Sequence, residues 1–436
     1  MFMEKSLWKQ TCEMPEFRPL EQNLKTDVLI VGGGLAGLLC AYQLKQRGTD
    51  CVLIEADRIC SGISGNTTAK ITSQHGLIYG KMLRRFGPEI TKAYWRANQE
   101  AIDAYRNLAE GIACGFEEKD NFLYAVSSRE QLEQELDDLT QLEIPAFFEE
   151  DLPIPVRTVG AIRFPDQAQF HPLKCAAGIA SGLKIYEHTK AREFVGNQVM
   201  TNGGTIHAEK IIVATHFPML NKHGGYYLKQ YQSRSYVLAL KNAPQVKGMY
   251  LGIDGGKLSF RNHDDCLILG GGGHRTGKKS EGWKTLENFA KIHYPDSELV
   301  SRWAAQDCMT LDGIPYIGHY SRGTPNLYVA TGFNKWGMTS SMVAANLLAD
   351  LVQGRENPYE PVFRPDRTIL RPQLLCNTVE SAVNLLTPTK PRCPHLGCAL
   401  KWNRQEHSWD CPCHGSRFSE RGEVLDNPAT DDLNMQ

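Results

Sequence analysis

The chain has no block of five or six like charges, no run of about 18 apolar residues, no internal repeat and no low-complexity tract. Forty-eight basic residues nearly cancel forty-nine acidic ones, so a nucleic-acid footprint is not expected. Without a long apolar run no helix is expected to span a bilayer. The opening MFMEKSLWKQTCEMPEF lacks the basic start and apolar core of a secretory signal, and the expected location is the cytoplasm. Clustered cysteines are also missing over most of the length. Cys12, Cys40, Cys51, Cys60, Cys114, Cys175, Cys266, Cys308 and Cys376 stand singly and read as buried free thiols.

What is present is a globular composition, 42% hydrophobic and 22% charged over 436 residues. That length exceeds the roughly 250 to 300 residues at which one core stops growing, so at least two packed units are expected.

Asp27 to Val31 (DVLIV) is a β-branched run followed at once by GGGLAG and an apolar helical stretch. The order predicts strand, tight turn and helix. Gly32, Gly34 and Gly37 satisfy G-x-G-x-x-G. The first permits the turn, the second admits a pyrophosphate against the backbone, and the third lets helix and strand pack closely. The phosphates would sit on the helix N-terminus. A second strand, CVLI, ends in Glu55, placed to bond ribose hydroxyls and to disfavour a 2′-phosphate. A bare glycine turn is the bland alternative, but strand, turn, helix, strand and acid fall in register.

Three later features bear on which dinucleotide is bound. A polar, glycine-rich segment from Arg58 to Lys70 follows the acid, IIVA at 211–214 predicts another buried strand, and NLYVATGFNKWGMTSSMVAANLLADLV near residue 330 repeats strand, glycine turn and helix. DVLIVGGGLAGLLCAYQL, Glu55, the stretch Ser61 to Ala69, GAIRFPDQAQFHP and the late pair of DGIPYIG with the strand, glycine turn and helix near residue 330 resemble the glycine/D-amino acid oxidase (DAO) family of FAD enzymes over roughly residues 20 to 360. The resemblance implies a Rossmann-type α/β domain holding FAD (about 24–80, 150–220 and 311–360) and an antiparallel substrate domain (about 81–149 and 221–310). It places Thr67, Thr68 and Ala69 near the phosphates or ring, and Gly332, Gly337, Met338 and Thr339 near the isoalloxazine. It also implies oxidation of the C–N bond of an amine or amino acid. Arg234 and Arg261 are candidate carboxylate clamps, although solvated or salt-bridged arginines are the commoner case. Lys335 is a candidate for flavin–oxygen chemistry or simply a surface lysine. No catalytic acid or base is assigned.

The last four cysteines lie in CPHLGC and CPCHGSRF. Ligands read as C-x-H and C-x-x-H give Cys393 with His395 and Cys411 with His414. This resembles the Rieske 2Fe-2S family, in which two cysteines hold one iron and two histidines the other. The resemblance implies a disulfide between Cys398 and Cys413, and a hydroxyl from Ser416 toward the cluster. Phe418 stands where high-potential members carry tyrosine, so a lower potential is expected. A zinc site of four cysteines competes, against the absent C-x-x-C spacing. The module, 371–436, reads as a small all-β unit shortened to its cluster hairpins, with Trp402 and Trp409 either buried against the flavoprotein body or forming the hairpin's own core.

The expected function is an FAD-dependent oxidoreductase of a small amine or amino acid that passes electrons from flavin to the Rieske centre and on to an external acceptor, with contact between tail and body. An oxygen-using oxidase with a structural tail, and a redox-sensing protein without turnover, are the alternatives.

Overall fold

The computed structural model describes residues 3–434. Three sheets organise them. In the first, eight strands follow the order 316–319, 327–331, 205–213, 24–31, 51–54 and 185–186, with 191–195 and 198–201 attached at the side. Leu24–Val31 is parallel to both Thr205–Val213 and Cys51–Ile54. All four residues of Cys51–Ile54 are buried, as expected for a parallel strand covered on both faces. Helices Leu35–Gln46 and Gly337–Val352 pack together on this sheet, sharing Leu38, Leu39, Met342 and Ala345 in one core. An Arg47–Asp350 ion pair of 2.6 Å closes their ends.

The second sheet has nine strands, in the order 298–310, 230–241, 266–275, 259–263, 249–252, 117–125, 160–169 and 70–71, with 147–149 beside 160–169. Its neighbours are antiparallel except Met249–Gly252, which runs parallel to Glu117–Ala125. Two expected boundaries need correction. Gly160–Gln169 and Lys70–Ile71, both assigned by sequence to the dinucleotide half, are strands of this second sheet. The chain therefore crosses between the halves immediately after Ala69.

The third sheet is a four-stranded antiparallel unit formed by Lys401–Asn403, Ser408–Asp410, Arg417–Phe418 and Val424–Asp426. A helix, Pro372–Leu386, precedes it, so the module is not all-β from residue 371. Pro372 occupies the helix's first turn, where a missing N–H is harmless, and Pro388 lies just beyond the end. Trp402 and Trp409 are cross-strand partners with ring centroids 5.0 Å apart. Trp402 is 38% exposed, so the pair braces the hairpin and does not bury against the body.

Candidate active site and metal centre

The glycine turn is tight for measurable reasons. Gly32 has φ +113°, and a Cβ there would lie 2.5 Å from the Ala214 carbonyl oxygen. A Cβ on Gly37 would lie 1.9 Å from the Gly32 carbonyl oxygen. Gly34 caps the helix with no side chain of its own, and the first helical amide, that of Leu35, donates to the Ser64 hydroxyl at 2.9 Å. Glu55 is pinned by the amides of Gly33 and Asp57, which donate to its two oxygens at 2.6 and 3.0 Å. Burial raises its carboxyl pKa, and those two amides hold part of the rise back.

The segment after Glu55 is fixed from several sides. Trp8 Nε1 donates to the Thr67 carbonyl at 2.6 Å, and Arg261 donates to the carbonyls of Thr68 and Ala69 at 2.8 and 2.7 Å. Far along the chain, the Gly332 turn returns to the same place. It has φ +71°, and a Cβ there would lie 2.3 Å from Thr310.

These parts wall a cavity of about 1400 Å³, larger than the ~300–1,000 Å³ typical of sites for drug-sized ligands. Gly32, Gly34, Glu55, Thr67, Thr68, Gly332, Gly337 and Met338 line it. Three other predicted residues act behind the wall. Gly37 packs against Gly32, Ala69 is fully buried with φ 55°, and the Thr339 hydroxyl contacts the Thr72 carbonyl and His75, both at 3.2 Å. A crowded glycine turn that leads into a helix N-terminus at the cavity wall, and a pinned carboxylate, fit a dinucleotide.

In the tail, Cys393 and Cys411 are buried and interact, and the hydrogen bond between their sulfurs outweighs burial and lowers the Cys393 thiol below its ordinary value. The rings of His395 and His414 stand 5.0 Å apart at 87°. The Nδ1 atom of each is buried without a hydrogen-bond partner, which is the state expected of a nitrogen reserved for a metal. Burial keeps both imidazoles neutral, with pKa values near 4 and 3. Cys398 and Cys413 form a disulfide. Their sulfurs lie within 4.8 Å of the Cys411 sulfur but have no thiolate to give. That pairing removes the four-cysteine zinc site.

Residues 27–351 match the FAD dependent oxidoreductase (DAO) family, and residues 379–435 match the Rieske [2Fe-2S] domain. A Bacillus subtilis (strain 168) protein named as a Rieske 2Fe-2S iron-sulfur protein is 36% identical, over 97% of this chain and 95% of its own length. The gamma-glutamylputrescine oxidoreductase of Escherichia coli (strain K12) is 24% identical over 79% of this chain and 87% of its own. The glycine oxidase structure from Geobacillus kaustophilus superposes with a TM-score of 0.69 at 22% identity, covering 79% of this chain and all of that one.

This chain belongs to the FAD dependent oxidoreductase family. Its Rieske domain is docked on the DAO body through buried charge. Arg234 forms a bidentate pair with Glu406, which Tyr236 and Arg417 also contact at 3.1 and 2.9 Å. Of the two readings of Arg234, substrate clamp and salt-bridged arginine, the ion pair with Glu406 supports the second and makes it a docking residue. Arg275 donates to the carbonyls of Pro412 and Cys413, both at 2.9 Å, and Gln232 donates to that of His414 at 3.0 Å. Lys335 is exposed at the cavity wall, 3.3 Å from Ser235 and 3.5 Å from Asp307. In this DAO protein the tail itself completes the wall, through Asp426, Asn427, Ala429 and Thr430. No periodicity or motif marked those residues.

Proposed function

We propose that this protein oxidises the C–N bond of an amine or amino acid at its cavity and delivers the electrons to an external acceptor through its Rieske domain. One observation carries the reading: a single backbone segment spans both sites. Ala214, Thr215 and His216 line the cavity, and the next ring, Phe217, lies 6.3 Å from His395 and 6.4 Å from His414.

When bound, FAD supplies a two-electron acceptor and a 2Fe-2S cluster a one-electron carrier. Gly32, Gly34 and the helix amides hold the pyrophosphate, Glu55 the ribose, and Thr67, Thr68, Gly332, Gly337 and Met338 the ring end. Cys393, Cys411, His395 and His414 ligate the cluster. Gln232, Gln306 and Arg275 fix the backbone of the second ligand loop, and Asn221 holds the other ring nitrogen of His395 at 3.0 Å. With no described helix long and apolar enough to cross a membrane, a cytoplasmic site of action is the simplest reading.

The test is anaerobic reduction of the purified protein with a panel of amines and amino acids, read by flavin absorbance and by EPR. A reactive substrate should bleach the flavin and then produce the reduced-cluster signal. In Cys393→Ser bleaching should persist while that signal disappears. Undiminished aerobic turnover with peroxide release in Cys393→Ser would instead favour an oxidase with a structural tail. A flavin that no amine or amino acid bleaches would favour redox sensing without turnover.

A further inference from the structure

Lys70 belongs to none of the roles above. The positive φ of Ala69 turns the chain off the cavity wall into the edge strand Lys70–Ile71, whose partner is Gly160–Gln169. Lys70 nevertheless remains among the residues that line the cavity, although it is only 9% exposed. Its ammonium donates to the Tyr250 carbonyl and to the Ser259 hydroxyl, both at 2.6 Å. An ammonium carries three protons, so one donor remains.

Among the described residues no carboxylate pairs with Lys70. The charged group that acts on it is a second cation, Arg261, which is fully buried, keeps its Nη2 without a partner, and also lacks an ion pair. A buried cation without a counter-charge is costly and is stabilised when an anion arrives. Burial, with Arg261 adding to it, brings the Lys70 ammonium down to about 7, so the protein alone does not hold its charge firmly. The pyrophosphate does not answer this need, because its cradle is the Gly32 turn on the other sheet. Around Lys70 the cavity is walled by the nine-stranded sheet, with Leu123, Val237 and Leu251 offering an apolar floor beside Ser259.

We infer that Lys70, with Ser259, is the anchor for a substrate carboxylate, so that the substrate is an amino acid and not a simple amine. The inference rests on the C–N oxidation reading and narrows it. One carboxylate oxygen takes the free ammonium proton, and the serine hydroxyl, which accepts from Lys70, turns its own proton to the other. The amino acid's side chain lies over the apolar floor.

The holoenzyme is titrated with acetate and, as the uncharged match, acetamide, following perturbation of the flavin spectrum; flavin content is measured in parallel. Acetate should bind and acetamide should not. Lys70→Met should weaken acetate about tenfold or more, as expected on losing a charged hydrogen bond, with partial recovery in Lys70→Arg and a smaller loss in Ser259→Ala. If Lys70→Met does not retain flavin, Ser259→Ala carries the comparison. Acetate binding that is unchanged in a flavin-loaded Lys70→Met, or in Ser259→Ala where that variant stands alone, overturns the assignment. So does equal binding of acetamide. Acetate binding is measured without turnover, so a flavin that no amino acid bleaches counts against C–N oxidation and leaves the anion site separately measurable.

Discussion

Glu406→Ala is expected to lose about 3 kcal/mol of stability and to release the Rieske domain from the body, because removing one partner of a buried ion pair strands the other. Glu406 is 6% exposed at its side chain and lies between Arg234 and Arg417, themselves 8% and 6% exposed. Asp410 and Asp426 still face Arg417 at 3.0 and 2.9 Å, which keeps the loss at the low end of the range for buried pairs. Urea unfolding gives the magnitude. Limited proteolysis gives the location, with cleavage expected between residues 364 and 393 in the variant before any cut in the body.

The same carboxylate sets a pH dependence. Burial alone would raise its pKa, but Arg234 and then Arg417 outweigh burial and bring it from the ordinary 4.5 to about 2. A depressed carboxylate contributes stability that is full above its unfolded pKa and is lost as pH falls through the folded one. The stability gap between wild type and Glu406→Gln should therefore be constant above about pH 5 and close progressively from about 4.5 toward 2. A gap that widens on acidification would show that the arginines do not set this carboxyl.

The legible parts of this protein are those in which neighbours in sequence make the structure. Gly32, Gly34, Gly37 and Glu55 lie within 24 residues, and strand, turn and helix follow from their local preferences. Cys393, His395, Cys411 and His414 form two compact boxes, and the structure brings their rings and sulfurs together. Residues whose function depends on distant partners carry no such signal. By sequence Arg234 could be a substrate clamp or a salt-bridged arginine, and only the folding of Glu406, 172 positions away, onto it decides for the ion pair. Lys70 stands in a polar loop by sequence, and only the pairing of Lys70–Ile71 with Gly160–Gln169 drives it into the wall of the nine-stranded sheet. Asp426 and Asn427 follow the ligand boxes, yet they reach the flavoprotein cavity because Asn427 is tied to the Thr215 and Phe217 carbonyls. The helix Pro372–Leu386 was obscured by its flanking prolines, although a proline at the first turn is compatible with helix.

Gly37→Ala is expected to yield protein without FAD. The added methyl would stand 1.9 Å from the Gly32 carbonyl oxygen, 3.2 Å from the Gly32 carbonyl carbon and 3.3 Å from Ile30 Cγ2, so a backbone atom and not a flexible side-chain end must move. The helix Leu35–Gln46 cannot yield freely, because Leu38, Leu39 and Leu44 are fully buried beneath it and Gly337–Val352 packs beside it. Overpacking of well-filled cores typically costs ~1–3 kcal/mol, and a backbone clash belongs at the top of that range. Displacing this helix also withdraws the amides that would face the pyrophosphate, so stability and cofactor retention should fall together. Gly34→Ala separates the two effects. Its Cβ would meet only the Ser64 hydroxyl at 3.3 Å, and the residue's φ is −70°, so the apoprotein should melt close to wild type. The methyl would nevertheless occupy the face on which the pyrophosphate lies, and FAD affinity should drop. Thermal melts with and without added FAD, together with the flavin content of purified protein, distinguish the variants. A flavin-loaded Gly37→Ala with a wild-type melting temperature would mean that the close approach of helix and strand is not what holds the cofactor.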